Sequence, residues 1–201
     1  MIREVGLKCI SFNGIPRTIN CLNAFRASIL DTDPALAEKL EKRPSRTATP
    51  ENIAEINARG RALWKSIYLP FDAKLEAKLA DAHPDLPVHI LGSHYGPLLS
   101  DPPAQNRGGL ANIGRNLTSV VAISCLRAQT GVGPQVLSHV FGLKKGIEQG
   151  THKGEFSSAA EAEGIERLAS DEGCEWILQS VDSISQAIGA SFAEHAPRAK
   201  L

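Results

Sequence analysis

The chain has 201 residues, 42% of them hydrophobic, which is enough to bury roughly 70% of the unfolded surface in a single globular domain. Its 22 basic residues balance 22 acidic ones and form no long run, which disfavours nucleic acid or an anionic membrane surface as a partner. Apolar stretches of a few residues fall far short of the ~20 needed to span a bilayer, and the opening MIREVGLK lacks a signal-type apolar region, so the chain is expected off the membrane and outside the secretory path.

Helix signals recur along the chain and period-two alternation does not, which predicts an all-α fold. Pro16, Pro34 and Pro50 each suit a first helical turn, with Asp33 and Thr49 as candidate N-caps for the second and third. The segment NIAEINARGRALWKSIY places Ile53, Ile56, Leu63, Trp64 and Ile67 on one side, and FDAKLEAKLADAH does the same with Phe71, Leu75 and Leu79. Residues 100–114, SDPPAQNRGGLANIG, read as a loop that could cover a site. In the next helix Leu117, Val120, Val121, Ile123, Ser124 and Leu126 are apolar or small, so protein should cover it nearly all round. After the break Thr130-Gly131-Val132-Gly133, Pro134 opens a second helix with an apolar stripe at Val136, Val140, Leu143 and Ile147, and His139 falls beside that stripe. Residues 149–158 read as a second loop, ahead of the helical segment DEGCEWILQSVDSISQAI at 171–188.

Cys9, Cys21, Cys125 and Cys174 lie far apart with no CxxC, and are read as buried small side chains rather than disulfides. The six histidines form no HxxxH or HExxH pair, so no metal site is expected.

The run GRNLTSVVAISCLRAQTGVGPQVLSHVFGLKKG resembles the central helical pair of the carboxymuconolactone decarboxylase family, within the alkylhydroperoxidase D-like superfamily, where an Arg opens the first helix and a His-containing helix ends in Gly. Upstream, ARGRALWKSIYLPFDAKLEAKLADAHPDLPVHILGSHYGPLLSDP resembles that family's opening. REVGLKCISFNGIPRTINCLNAFRA resembles its closing helix, where an aromatic-x-Gly-x-Pro turn leads into an Ala/Asn-rich helix. A closing segment thus precedes an opening one. A weaker closing segment at 171–188 shares a Gly (Gly14, Gly173), an amide (Asn20, Gln179) and apolar positions such as Ile19 and Leu178 with the first. The resemblance implies one 1–201 domain, an alkylhydroperoxidase D-like helical bundle of about one and a half repeat units. In it, 1–30 corresponds to the closing helix of a preceding half-unit and 58–188 to the more complete unit.

The superfamily's peroxidase branch uses a CxxCxxH arrangement, in which a low-pKa thiolate attacks peroxide and a second thiol resolves it. Here Val132 and Gln135 stand at the thiol offsets before His139, and Val120 stands where an acidic residue is expected. Cys125 on the preceding helix is the remaining candidate for a reactive thiol near His139, although an apolar setting raises a thiol pKa. The decarboxylase branch needs only a donor for the developing enolate and an acid to reprotonate carbon. By resemblance, His139 would be the proton shuttle and Arg115 the bidentate holder of a substrate carboxylate, with Tyr95 and His94 as further pocket donors. The plainer readings are a packing histidine, a structural ion pair at a helix start and a core tyrosine.

The terminal Ala199-Lys200-Leu201 matches the small-basic-leucine import signal, implying the peroxisomal import receptor as a partner and peroxisomal residence, with the cytosol as the alternative. The resulting expectation is a homo-oligomeric, cofactor-independent decarboxylase or isomerase-type enzyme acting on a small carboxylated or lactone-like metabolite. The alternatives are a catalytically inactive assembly or ligand-binding module of the same fold and, third, a thiol-dependent peroxidase. A His139 that meets Arg115 in a concave site favours the enzyme; a packed, dry His139 favours the module.

Overall fold

The computed structural model describes residues 1–129, 131–156 and 158–189, and the regular secondary structure among them is all helical, with no strand. The terminal tripeptide expected to act as an import signal lies outside the described residues. The expected closing helix near the start is instead three helices: α1 (Ile2–Lys8), α2 (Ile10–Asn13) and α3 (Ile15–Thr32). Gly14, at φ 84°, makes the second break in a region that favours glycine, and Pro16 then sits in the first turn of α3. Asp33 caps α4 (Pro34–Lys39) by accepting from the Leu36 N–H at 3.0 Å, as its position ahead of Pro34 predicts. Pro50 does not start a helix; it lies in a turn, and Asn52 rather than Thr49 stands ahead of α5 (Ile53–Tyr68).

Of the stripe predicted for α5, Ile56, Trp64 and Ile67 are buried, while Ile53 at its first turn is exposed. In α6 (Asp72–Ala82) Leu75 and Leu79 pack on the core, but Phe71, one residue before the helix, points to solvent. The short α7 (Leu86–His89) runs directly into a π-helix, Ile90–Leu99, that carries Pro97 inside it. Proline lacks the N–H a regular turn needs, and the wider i→i+5 spacing accommodates the gap, with Ser100 N–H bonding the Tyr95 carbonyl at 2.9 Å. After a one-turn α8 (Ala104–Arg107) come α9 (Gly114–Arg127), α10 (Gly133–Glu148), α11 (Ala159–Leu168) and α12 (Asp171–Ile188).

The helix pair read from the sequence is therefore present, and α9 is the central element. Thr118, Ser119, Val121, Ala122, Ile123 and Leu126 are all buried, on every side of it. Its buried hydroxyls are satisfied locally: Thr118 Oγ1 donates to the Gly114 carbonyl at 2.6 Å and Ser119 Oγ to that of Arg115 at 3.4 Å. On one side α9 and α10 join α11 and α12 in a core of Ile123, Leu143, Ile165, Ala169, Cys174 and Ile177. The other core, Trp64, Ile67, Leu91, Tyr95 and Leu99, lies between α5 and the π-helix. Of the four cysteines read from sequence as buried small side chains, Cys174 is buried, whereas Cys9 and Cys125 are half-buried and Cys21 is exposed.

Gly60 and Gly96 let α5 and the π-helix touch backbone to backbone, since a methyl group on Gly60 would fall onto Gly96 N and Cα. Backbone cannot give way as a flexible side chain can. Gly60→Ala is therefore expected to cost about 1–3 kcal/mol, the range for overpacking, read as a lowered midpoint of urea unfolding at unchanged slope.

Candidate functional site

His139 lies mid-way along α10 and is 6% exposed. Two glycines one turn apart, Gly142 and Gly146, hold α10 close to its neighbours: a methyl on Gly142 would press on Ile67 at 3.1 Å, and one on Gly146 would overlap the Arg115 guanidinium and the Asn116 amide. The bare surface at Gly146 is thus what lets Arg115, from the first turn of α9, lie across α10.

Around the imidazole stand Phe12 of α2 and Tyr68 of α5, both edge-on, with ring centroids at 5.9 and 6.4 Å. Tyr68 accepts a hydrogen bond from the Tyr95 hydroxyl at 3.2 Å, and Trp64 packs on both phenols, at 4.2 and 5.1 Å. Arg115 reaches the same layer. Its Nη2 donates to the Ser66 carbonyl at 2.9 Å and its Nη1 to Asn116 Oδ1 at 3.0 Å. Two groups in this layer are buried without a hydrogen-bond partner among the described residues, His139 Nδ1 and Arg115 Nε. Such orphans are uncommon in native interiors.

Burial, reinforced by the Arg115 charge, holds the His139 pKa down to about 4, so at neutral pH the imidazole is uncharged and can accept a proton. Burial likewise raises both phenols, Tyr95 well above its usual range, so both remain neutral donors. It also lowers Arg115, which the nearby Glu155 carboxylate partly offsets.

The structure brings His139 and Arg115 together, and joins Tyr95 to them only through Tyr68. Tyr95 itself is core. His94, next to it on the π-helix, points instead towards α2 and pairs its Nδ1 with Ser11 Oγ at 3.0 Å. Cys125 finds a thiol, not an imidazole: its Sγ lies 3.5 Å from Cys9 Sγ. That contact and burial push the Cys125 pKa well up, so it is not the low-pKa nucleophile a peroxidase needs. Among the described residues no group of three or more His, Cys, Asp or Glu side chains is placed to hold a metal ion, and no helix is long and apolar enough to cross a membrane.

Sequence reasoning missed Phe12, Tyr68, Cys9 and Glu155. Tyr68 had a signal, since it stands four residues after Trp64 on the same face of α5. The others are brought in by tertiary packing alone. No family model matches the chain, and no curated protein or solved structure matches it either.

An imidazole that is neutral in the fold but free to protonate at about 6.5 when unfolded makes the unfolded state bind more protons between pH 4 and 6.5. Stability from this burial is fully present above pH 6.5 and is lost as pH falls through that window, by at most about 3 kcal/mol. His139→Gln should flatten the pH dependence of the unfolding free energy there relative to wild type. Parallel curves for the two proteins would show that His139 is solvated.

Proposed function

We propose that this chain is a cofactor-independent enzyme of proton-transfer chemistry, acting on a small carboxylated or enolisable molecule in a bundle of alkylhydroperoxidase D-like type. The observation that carries this reading is the meeting, in one buried layer, of an uncharged imidazole whose Nδ1 is unpartnered with a guanidinium whose Nε is unpartnered. A neutral imidazole suits the removal of a proton from carbon beside a carboxylate or carbonyl. Arg115 then stabilises the enolate, and the Tyr68 O–H, freed by accepting from Tyr95, donates to its oxygen. Because its pKa is low, the imidazolium formed is a strong acid that returns the proton readily, at the same or another carbon. Decarboxylation consumes a proton at carbon after CO2 leaves, which a neutral His139 must first take from solvent, whereas in the isomerase-type branch the proton it removes is the one it returns. The neutral imidazole therefore supports that branch.

The second reading is a non-catalytic assembly or ligand-binding module. It is supported by the packed state of His139, nearly inaccessible beside the rings of Phe12 and Tyr68, which is the arrangement expected of such a module. Exposed apolar side chains on α10 and α12, Phe141 at 62% and Trp176 at 61%, support homo-oligomerisation under either reading.

The discriminating measurement is proton exchange from carbon into deuterated water, followed by NMR, on a small lactone carboxylic acid and a β-keto acid. Wild type is expected to catalyse exchange. A folded His139→Gln variant should be slower by about 10²–10⁴-fold, the usual contribution of a general base. Equal rates for the two proteins, or no exchange above background with wild type, would favour the module.

We also propose peroxisomal residence through Ala199-Lys200-Leu201 and the import receptor that reads such a terminus. A fluorescent protein fused at the amino end should give puncta that coincide with a peroxisomal marker and become diffuse when the tripeptide is deleted. Diffuse signal from the intact fusion would argue for the cytosol.

A further inference from the structure

Cys9 and Cys125 are 116 residues apart in sequence, yet their sulfurs are 3.5 Å apart. Cys9 occupies the single residue between α1 and α2, and Cys125 lies near the end of α9. Two carboxamides hold the Cys125 backbone from opposite sides of the sequence: its carbonyl accepts from Gln129 Nε2 at 2.9 Å and from Asn13 Nδ2 at 3.4 Å. Gln129 Nε2 also donates to the Phe12 carbonyl at 2.9 Å, tying the segment around Cys9 to the end of α9. Neither thiol is sealed off, both being half-buried.

We infer that Cys9 and Cys125 form a dithiol that exchanges with low-molecular-weight disulfides, Cys9 attacking and Cys125 resolving, to give an intramolecular disulfide between the α1–α2 junction and α9. The geometry requires the sulfurs to close by about 1.5 Å to reach a bond of about 2.0 Å, which a side-chain rotation at a one-residue helix junction can provide.

The order of attack follows from the asymmetry of the pair. The Cys125 contact lowers the Cys9 pKa, against the effect of burial, whereas that same contact and burial raise Cys125. In the thiol form Cys9 Sγ donates to the Val5 carbonyl at 3.2 Å, a bond that is given up when Cys9 ionises. In the first step the Cys9 thiolate bonds one sulfur of the small disulfide, whose S–S bond breaks, and the other half leaves as a thiolate. Cys125 then loses its proton to solvent and bonds the Cys9 sulfur, and the second half leaves as a thiolate. The protein dithiol is oxidised by two electrons and the disulfide is reduced to two thiols. Once Cys9 is in the mixed disulfide, the thiolate that held the Cys125 proton by a hydrogen bond and repelled its charge is gone, which leaves burial as the chief effect raising Cys125. The resolving thiol thus ionises more readily at the step that needs it.

This inference is independent of the proton-transfer proposal, because it involves neither His139 nor Arg115. Its test uses the full chain, folded and reduced, incubated with oxidised glutathione, then alkylated and mapped by mass spectrometry. Wild type is expected to lose two of its four alkylatable thiols and yield a Cys9–Cys125 cross-linked peptide, reversed by dithiothreitol. Cys125→Ala should stop at a single glutathione adduct on Cys9, and Cys9→Ser should leave Cys125 unmodified. A Cys21→Ser/Cys174→Ser double variant should keep the cross-link. Retention of four free thiols in wild type, a cross-link through Cys21 or Cys174, or a disulfide between two chains would overturn the inference, and wild-type mapping alone decides it if a variant fails to fold.

Discussion

Everything in this fold leans on the amino-terminal end of α9, where the unsatisfied N–H groups of a buried helix meet two carboxylates from distant loops. Asp101 Oδ2 accepts from Ile113 N–H at 3.0 Å and Gly114 N–H at 2.6 Å, while Glu155 accepts from Arg115 N–H at 2.6 Å, Asn116 N–H at 3.3 Å and Asn116 Nδ2 at 2.7 Å. A helix start buried without such partners would leave donors desolvated at a cost of about 1–3 kcal/mol each. The carboxylates also suit the positive end of the helix dipole. Because Asp101 follows the π-helix and Glu155 follows α10, the two bonds lock both halves of the molecule onto the same turn.

Asp101 carries the lock further. The Lys8 ammonium, with no exposed side-chain surface, pairs with it at 3.0 Å and also donates to the Leu99 carbonyl, and Arg46 bridges Glu4 at 2.8 Å and Asp101 at 3.8 Å. Burial pulls the Lys8 pKa down, and the Asp101 charge and hydrogen bond oppose that shift. Removing one partner of such a pair is far costlier than never having built it, about 3–5 kcal/mol, because the other charge is stranded. Thus α1 is attached to the rest by charge at Lys8, at the residue before Cys9, and the position of the dithiol follows from that attachment.

Local signals and distant contacts differ in how much of this the sequence exposes. The all-α class, the helix–break–helix of α9 and α10, the cap at Asp33 and the turn at Gly14-Ile15-Pro16 each depend on a few adjacent residues, and each could be read. The missed features depend on partners far away in sequence. The predicted single closing helix breaks at Cys9, where no glycine or proline marks it. Pro97 could have signalled an interrupted helix, but not that the chain would widen rather than stop. In the site, Arg115 was named only through the family resemblance, whereas His139 was legible from its place beside the apolar stripe of α10. Phe12 and Glu155 were not, because one arrives from 127 residues upstream of the histidine and the other from the loop after α10. Lys8 reads as a surface residue until Asp101 is folded against it.

The same packing explains why the polar layer around His139 stays unpaired. α9 is covered on all sides, so a polar group from its first turn can reach the interior only where a neighbouring helix lacks a side chain, and Gly146 is that place. Arg115 is then fixed by Ser66 and Asn116 with its Nε unpartnered, while His139 packs at a steep angle against the rings of Phe12 and Tyr68. An apolar residue of similar volume at 139 would remove the unpartnered imidazole nitrogen, and replacing a buried polar group by an apolar one of the same shape is often neutral or stabilising, although Arg115 Nε would stay unpartnered. A neutral imidazole and a fixed guanidinium thus share one buried layer with a polar atom of each unpaired, an arrangement that is unfavourable for stability.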